Sequence, residues 1–204
     1  MAKTNQRKLS RVERSELTRS QLIESAARMV GEFGYDGASI SRICTHAGIA
    51  QGTFYNYFET RQEIFELLPV YYGESMLNYF RRHIDPEVRG LDREVARLEA
   101  FIDFFEQHNV SERIINEAPI MAAEGYRRFY KMIREGYRRA LERDIASGAM
   151  RHMDESELLV LIDMMVAIRN GLSQQILLGE SKDERERKTI LALYRDIMAK
   201  AIFT

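Results

Sequence analysis

Apolar side chains recur every three or four positions along almost the whole chain, and no stretch sustains the alternate-residue pattern of a strand. The pattern predicts an all-α fold of about nine helices, with no internal repeat. Leu22, Ile23, Ala26, Ala27, Val30 and Phe33 share one face of a first helix. Gly34 follows as a left-handed stop, and Gly37 keeps the connection tight. Ser39 is placed to cap a short second helix that buries Ile40, Ile43, Cys44 and Ala47 before Gly48 breaks it. The pattern resumes within a few residues as Gln51-Gly52-Thr53-Phe54-Tyr55-Asn56-Tyr57-Phe58, with Phe54 and Phe58 facing inward.

Thr60 and Glu63 have capping-box spacing, which starts the next helix at about Arg61. That helix continues through Phe65, Leu68, Tyr72 and Met76 towards Phe80, bent where Pro69 lacks a backbone donor. A domain boundary is expected here, dividing residues 1–68 from residues 69–204. Asp85-Pro86 and Gly90 mark a loop, followed by a helix over 91–107 with Val95, Leu98, Phe101, Ile102 and Phe105 on its apolar face. A short helix over 111–117 is expected to stop before Pro119. A long one over 120–147 carries Tyr126, Phe129, Tyr130, Ile133, Tyr137 and Leu141 and ends at Gly148. Asp154 and Glu157 open a helix reaching about Leu178 that is apolar around much of its circumference, so it should be covered on more than one side. The last helix, over 182–202, shows Ile190, Leu193, Tyr194, Ile197, Met198 and Ala201.

Composition narrows the picture. With 204 residues, 45% of them hydrophobic, the chain can pack a core, and no apolar run approaches the roughly 20 residues of a membrane span. The first residues are polar and basic, without an apolar secretory core, and the single Cys44 provides no intramolecular disulfide; both point to the cytoplasm. Net charge is only -1, but the distribution is uneven. Lys3, Arg7, Lys8, Arg11, Arg14 and Arg19 face only Glu13 and Glu16, which leaves a basic arm ahead of the first helix pair. That arm is either a solubilising tail or a contact to phosphates and the minor groove. The run Asp183-Glu184-Arg185-Glu186-Arg187-Lys188 reads as a solvated helix start.

The chemistry concentrates in residues 39–61. Two short helices separated by Gly48-Ile49-Ala50 have the dimensions of a helix-turn-helix. The second offers Gln51, Thr53, Tyr55, Asn56 and Tyr57 outward, short polar groups and phenols suited to phosphates and base edges in a major groove. Gly52 lets the backbone approach a duplex closely. The string Ser39-x-x-x-Ile43-x-x-x-Ala47-Gly48-Ile49-Ala50-x-Gly52-Thr53-Phe54-Tyr55-x-Tyr57-Phe58-x-x-Arg61-x-x-Ile64 resembles the DNA-binding signature of the TetR family. The likeness reaches back through Ile23, Ala26, Ala27, Phe33, Gly34 and Tyr35, and spans roughly residues 16–68.

The resemblance implies a role for each position. Ser39 caps the second helix near a phosphate, Gln51, Gly52 and Thr53 approach bases, Tyr55 sits on phosphate, and Arg61 grips the backbone. Two departures stand out: Ala50 replaces a usual capping hydroxyl, and Asn56 stands where histidine is frequent. Plainer readings remain for several positions. Tyr55 and Tyr57 are also suited to packing, Ser39 to capping alone, and Arg61 to a solvated helix start. Cys44 and His46 share no helix face, so no metal site is expected, and Cys44 reads as a small buried hydrophobe.

For the remainder, the resemblance implies a helical body that holds a small-molecule inducer and a homodimer formed through the last two helices. The partners expected are therefore a double-stranded palindromic operator, a second copy and an apolar or aromatic inducer, with no cofactor. Candidate cavity residues are Phe101, Phe105, Met121, Tyr126, Phe129, Tyr130 and Met165, with Tyr72, Met76, Phe80, Phe104 and Met164 as further possibilities. Arg169 and Asn170 are polar residues embedded in an apolar helix. They either orient a polar end of the ligand or, for Arg169, pair with a carboxylate such as Asp163 of the partner subunit. The expected function is that of a ligand-released repressor in which the bent helix after Arg61 carries the movement. The competing classes are an enzyme, for which no nucleophile–base set or phosphate-cradling loop is visible, and a helical interaction module that has lost DNA binding.

Overall fold

A computed structural model describes residues 10–107, 112–177 and 183–203. The basic positions Lys3, Arg7 and Lys8 lie outside them, as do Ser111, Leu178 and Lys182. The first helix, α1 (Arg11–Gly37), begins well before the apolar face expected from Leu22 onward. Its start is a complete capping box: Ser10 accepts from the Glu13 N–H at 3.2 Å, and Glu13 accepts from the Ser10 N–H at 2.8 Å. Arg11, Arg14 and Arg19 are therefore helical rather than part of an extended arm. Near its end Gly34, at φ 72°, breaks the helical geometry and turns Tyr35 into the core, where it is completely buried.

Next come α2 (Ile40–Ala47) and α3 (Gln51–Phe54), joined through Gly48 in the left-handed conformation. The bent helix expected after Thr60 is two segments, α4 (Arg61–Phe65) and α5 (Leu68–His83). The break falls just ahead of Pro69, which sits in the first turn of α5 where its missing N–H costs nothing. The later helices are α6 (Gly90–Gln107), α7 (Glu112–Met121), α8 (Ala123–Ala146), α9 (Glu155–Leu177) and α10 (Glu184–Ala201). One boundary needs correction: α7 runs through Pro119 instead of stopping before it. Proline forfeits only the bond to the carbonyl one turn back. The helix then ends within three residues, at the non-helical Ala122 (φ −146°, ψ 55°).

Close approaches between helices are made through glycine. A methyl group added at Gly125 would stand 2.2 Å from the Glu66 carbonyl oxygen, so the start of α8 abuts the α4–α5 break. At Gly73 it would meet Phe129 and Met132, which sets the distance between α5 and α8. The far helices are tied to α6 by charge. Arg187, read from sequence as part of a solvated run, turns inward from α10 to Asp103 and to Glu106 at 3.1 Å. On the outside, Val160, Met164 and Ile168 of α9 and Leu193 and Ile197 of α10 are exposed at four-residue intervals. Among the described residues of one protomer nothing covers these faces. No helix among the described residues is long and apolar enough to cross a membrane.

Candidate nucleic-acid interface and body cavity

Phe54 and Phe58, one turn apart, are almost wholly buried and form the floor under residues 51–57. Because the floor fixes the phase of the turn, Gln51, Gly52, Tyr55 and Asn56 are left on the outside, with Thr53 half-buried at their edge. Helical geometry covers only Gln51–Phe54; beyond it the chain tightens, with Asn56 N–H on the Thr53 carbonyl at 3.1 Å and Tyr57 N–H on that of Phe54 at 2.9 Å. Ala50 supplies no side-chain cap, as its departure from the usual hydroxyl predicts. Nothing stands within 4 Å of where a Gly52 side chain would begin, so the surface there is open.

The other sequence-nominated residues divide by environment. Ser39 caps α2, accepting from the Arg42 N–H at 3.3 Å. Tyr57 is half-buried, and its hydroxyl stands 3.5 Å from that of Ser15 on α1. Arg61 is also half-buried: it donates to the Asp36 carbonyl at 3.3 Å and lies over the Phe65 ring. Both are structural ties as well as candidates for DNA. Arg42 escaped the sequence reading, and Arg19 was read only as part of the basic arm. Arg42, exposed beside Ser39, donates to the Gly37 carbonyl at 2.8 Å, and Arg19 lies over the Phe58 ring. Spacing on α1 and α2 was the available signal. Cys44 is buried, and burial alone pushes its thiol pKa up. His46 reaches Ser25 at 3.0 Å and so joins α2 to α1.

These helices are latched to α7 and α8. Tyr35 donates its hydroxyl to the Ile114 carbonyl at 3.1 Å and its N–H to Glu117 at 2.9 Å. Arg113 reaches the Glu32 carbonyl at 3.2 Å. Gln62 donates to the Met121 carbonyl at 2.9 Å, while Glu66 accepts from the Gly125 N–H. Behind this junction Glu112 is fully buried, both carboxylate oxygens without a partner among the described residues, and burial raises its pKa to about 7. The neighbouring Tyr72 hydroxyl is also unpartnered, and its pKa is raised by burial and then by Glu112.

Between α5, α6, α8 and α9 lies a cavity of about 140 Å³. Of the candidate ligand residues, Phe101, Phe105, Phe129, Arg169 and Asn170 border it, together with Tyr72, Met76 and Phe80. Met121, Tyr126, Tyr130 and Met165 do not. Met121 ends α7 at the latch, Met165 is packed in the core, and Tyr126 and Tyr130 line a surface groove, where Tyr130 donates to Asp163 at 3.1 Å. Met164 faces outward, and Phe104 borders a separate cleft towards α1. Spacing does not predict the split, since Tyr126, Phe129 and Tyr130 stand three and four residues apart on one face of α8; the neighbouring helices divide them.

The polar end of the cavity holds a network that sequence reading missed. Arg169 pairs within its own chain, with Glu94 of α6 at 2.6 Å, rather than with Asp163. Glu94 also accepts from Tyr194 at 2.8 Å and faces Arg97 at 3.4 Å. Asp163 belongs instead to Arg134, at 2.9 Å. Tyr137, beneath Arg169 and Arg97, has its pKa pushed up to about 12 by burial. Glu94 lies four residues before Leu98 and seven before Phe101, on the apolar face of α6 and away from Asp92, Glu99, Asp103 and Glu106; that spacing was the signal that could have found it.

Residues 22–68 match the family model described as bacterial regulatory proteins, tetR family. The YhgD HTH-type transcriptional regulator of Bacillus subtilis is 20% identical over 152 residues, 72% of this chain and 80% of that one. The HTH-type transcriptional activator FasR of Mycolicibacterium smegmatis is 26% identical over 99 residues, 48% of this chain and 45% of its own. Among solved structures, a TetR-family transcriptional regulator from Rhodococcus sp. superposes with a TM-score of 0.76 at 17% identity, covering 89% of this chain and 98% of that one.

Proposed function

We propose that this chain is a helix-turn-helix transcriptional regulator of the tetR family that acts as a homodimer, represses from a near-palindromic operator and is released by a small molecule. Residues 1–68 form the reading head and residues 69–204 the sensing and dimerising body. The observation that carries the reading is the open row Gln51, Gly52, Thr53, Tyr55 and Asn56, held over the buried pair Phe54 and Phe58 inside the family-matched segment. Gln51, Gly52 and Thr53 approach base edges, while Ser39, Tyr55, Asn56, Tyr57 and Arg61 fix the head on phosphates. Arg19, over Phe58, and the exposed Arg42 add positive charge to the head.

The homodimer is supported by the uncovered apolar faces of α9 and α10, which pair as a four-helix bundle about a twofold axis. That symmetry offers two heads to two half-sites. The cavity between α5, α6, α8 and α9 is the ligand site, its inducer apolar or aromatic in the main. Release is supported by the latch. A ligand that moves Tyr72 or Phe129 shifts α7 and α8, and with them Tyr35, Gln62 and Glu66 at the root of the head. A coupling of ~1–3 kcal/mol between the two sites suffices for 5–150-fold relief. Regulation of this kind takes place in the cytoplasm.

Selection of bound sequences from a random duplex pool tests the proposal. The expected result is an enriched palindrome that Thr53→Ala and Tyr55→Ala both lose, with affinity falling steeply as salt rises. Absence of enrichment at low salt refutes it.

A further inference from the structure

The charges at the polar end of the cavity do not balance, and the imbalance says what the ligand is; the argument rests on the cavity being the ligand site. Glu94 is the one carboxylate there, 1% exposed and engaged by Arg169 and Tyr194. Among the described residues it is also the only ion-pair partner of Arg97, at the long distance of 3.4 Å. Two guanidinium groups thus share one buried negative charge. Arg169, only 4% exposed, keeps a buried Nε–H with no acceptor among the described residues. Both arginines and Asn170 border the cavity, whereas Glu94 does not. A ligand arriving there meets donors and surplus positive charge. Arg93, one turn earlier on α6, reflects the same excess: burial and then repulsion from Arg97 lower its pKa.

The remaining walls are apolar, with Phe80, Phe101, Phe105 and Phe129 prominent. A cavity near 150 Å³ holds benzene, so about 140 Å³ accommodates one ring or a short branched alkyl body. We propose that the cavity takes a small monocarboxylate with an aromatic or short alkyl body, its carboxylate set against Arg97, the free Arg169 N–H and Asn170. The bound carboxylate makes the buried set neutral and satisfies the orphan donor, while the ring fills the apolar end. Discrimination against neutral analogues follows, because an amide or a hydrocarbon leaves the surplus charge where it was.

The test is calorimetric titration of the full chain with benzoate, benzamide and toluene, using wild type, Arg97→Gln and Gly136→Leu. In Arg97→Gln, Glu94 keeps Arg169 and Tyr194, so the fold is retained, which a melting curve verifies. Gly136 is exposed at the α8 rim of the cavity, with open space where its side chain would begin, so leucine can close off the opening without a clash. Benzoate should bind at least roughly tenfold tighter than benzamide, the worth of one charge-assisted hydrogen bond. Arg97→Gln should remove that preference and leave toluene unchanged, and Gly136→Leu should abolish all three. Equal binding of benzoate and benzamide, or a preference that survives Arg97→Gln, overturns the carboxylate assignment while leaving the cavity as a ligand site. If no probe binds wild type, or binding survives Gly136→Leu, the cavity reading itself fails.

Discussion

Removing the Glu94 carboxylate should damage this protein more than its single position suggests. The group is 1% exposed, holds Arg169 at 2.6 Å and Tyr194 at 2.8 Å, and faces Arg97 at 3.4 Å. In Glu94→Ala the 4%-exposed Arg169 keeps its charge and loses its counter-ion. Breaking one side of a buried pair costs about 3–5 kcal/mol, because the remaining charge is left in a medium that solvates it poorly. For a chain of this length each kcal/mol lowers Tm by about 2–4 °C, so a fall of roughly 6–20 °C is expected. Thermal unfolding by circular dichroism at fixed protomer concentration reads it, since dimerisation makes Tm concentration-dependent. The double substitution Glu94→Ala with Arg169→Met should recover much of the loss, which separates an uncompensated charge from a simple cavity. If Glu94→Ala melts within about 2 °C of wild type, the network does not hold α6, α9 and α10 together and the reasoning fails.

Two further outcomes follow. Glu112 binds its proton more tightly when folded, with its pKa raised from 4.5 to about 7 by burial, so stability should be greatest at low pH and decline as pH rises through that window. The decline is about 3 kcal/mol at most, and chemical denaturation at several pH values should show Glu112→Gln flattening it; an unchanged slope in that variant refutes the assignment. Met164→Asp with Leu193→Asp, placed on the exposed faces of α9 and α10, should give monomers by analytical ultracentrifugation without lowering helicity. A dimer that persists in that variant places the interface elsewhere.

Sequence alone determined what short-range physics controls. Capping residues such as Ser39, Thr60 and Asp154, and stops such as Gly34, Gly48 and Gly148, act over one turn, so most helix positions followed from spacing. The open face of residues 51–57 was legible for the same reason, because the phase of Phe54 and Phe58 settles which neighbours face outward. Even there, only the fold revealed that Arg61 and Tyr57 are tied to the two ends of α1. Tertiary structure decided whatever depends on which helices meet. It turned Phe129 into the cavity and left Tyr126 and Tyr130 outside, carried α7 past Pro119, and brought Glu94 to Arg169 across 75 residues. The spacing of Glu94 with Leu98 and Phe101 marks it as an inward acid, but which guanidinium and hydroxyl meet it depends on helices distant in sequence. Only the packing of α6 on α9 and α10 removes the water from Glu94, and with it the choice of being an ordinary surface acid.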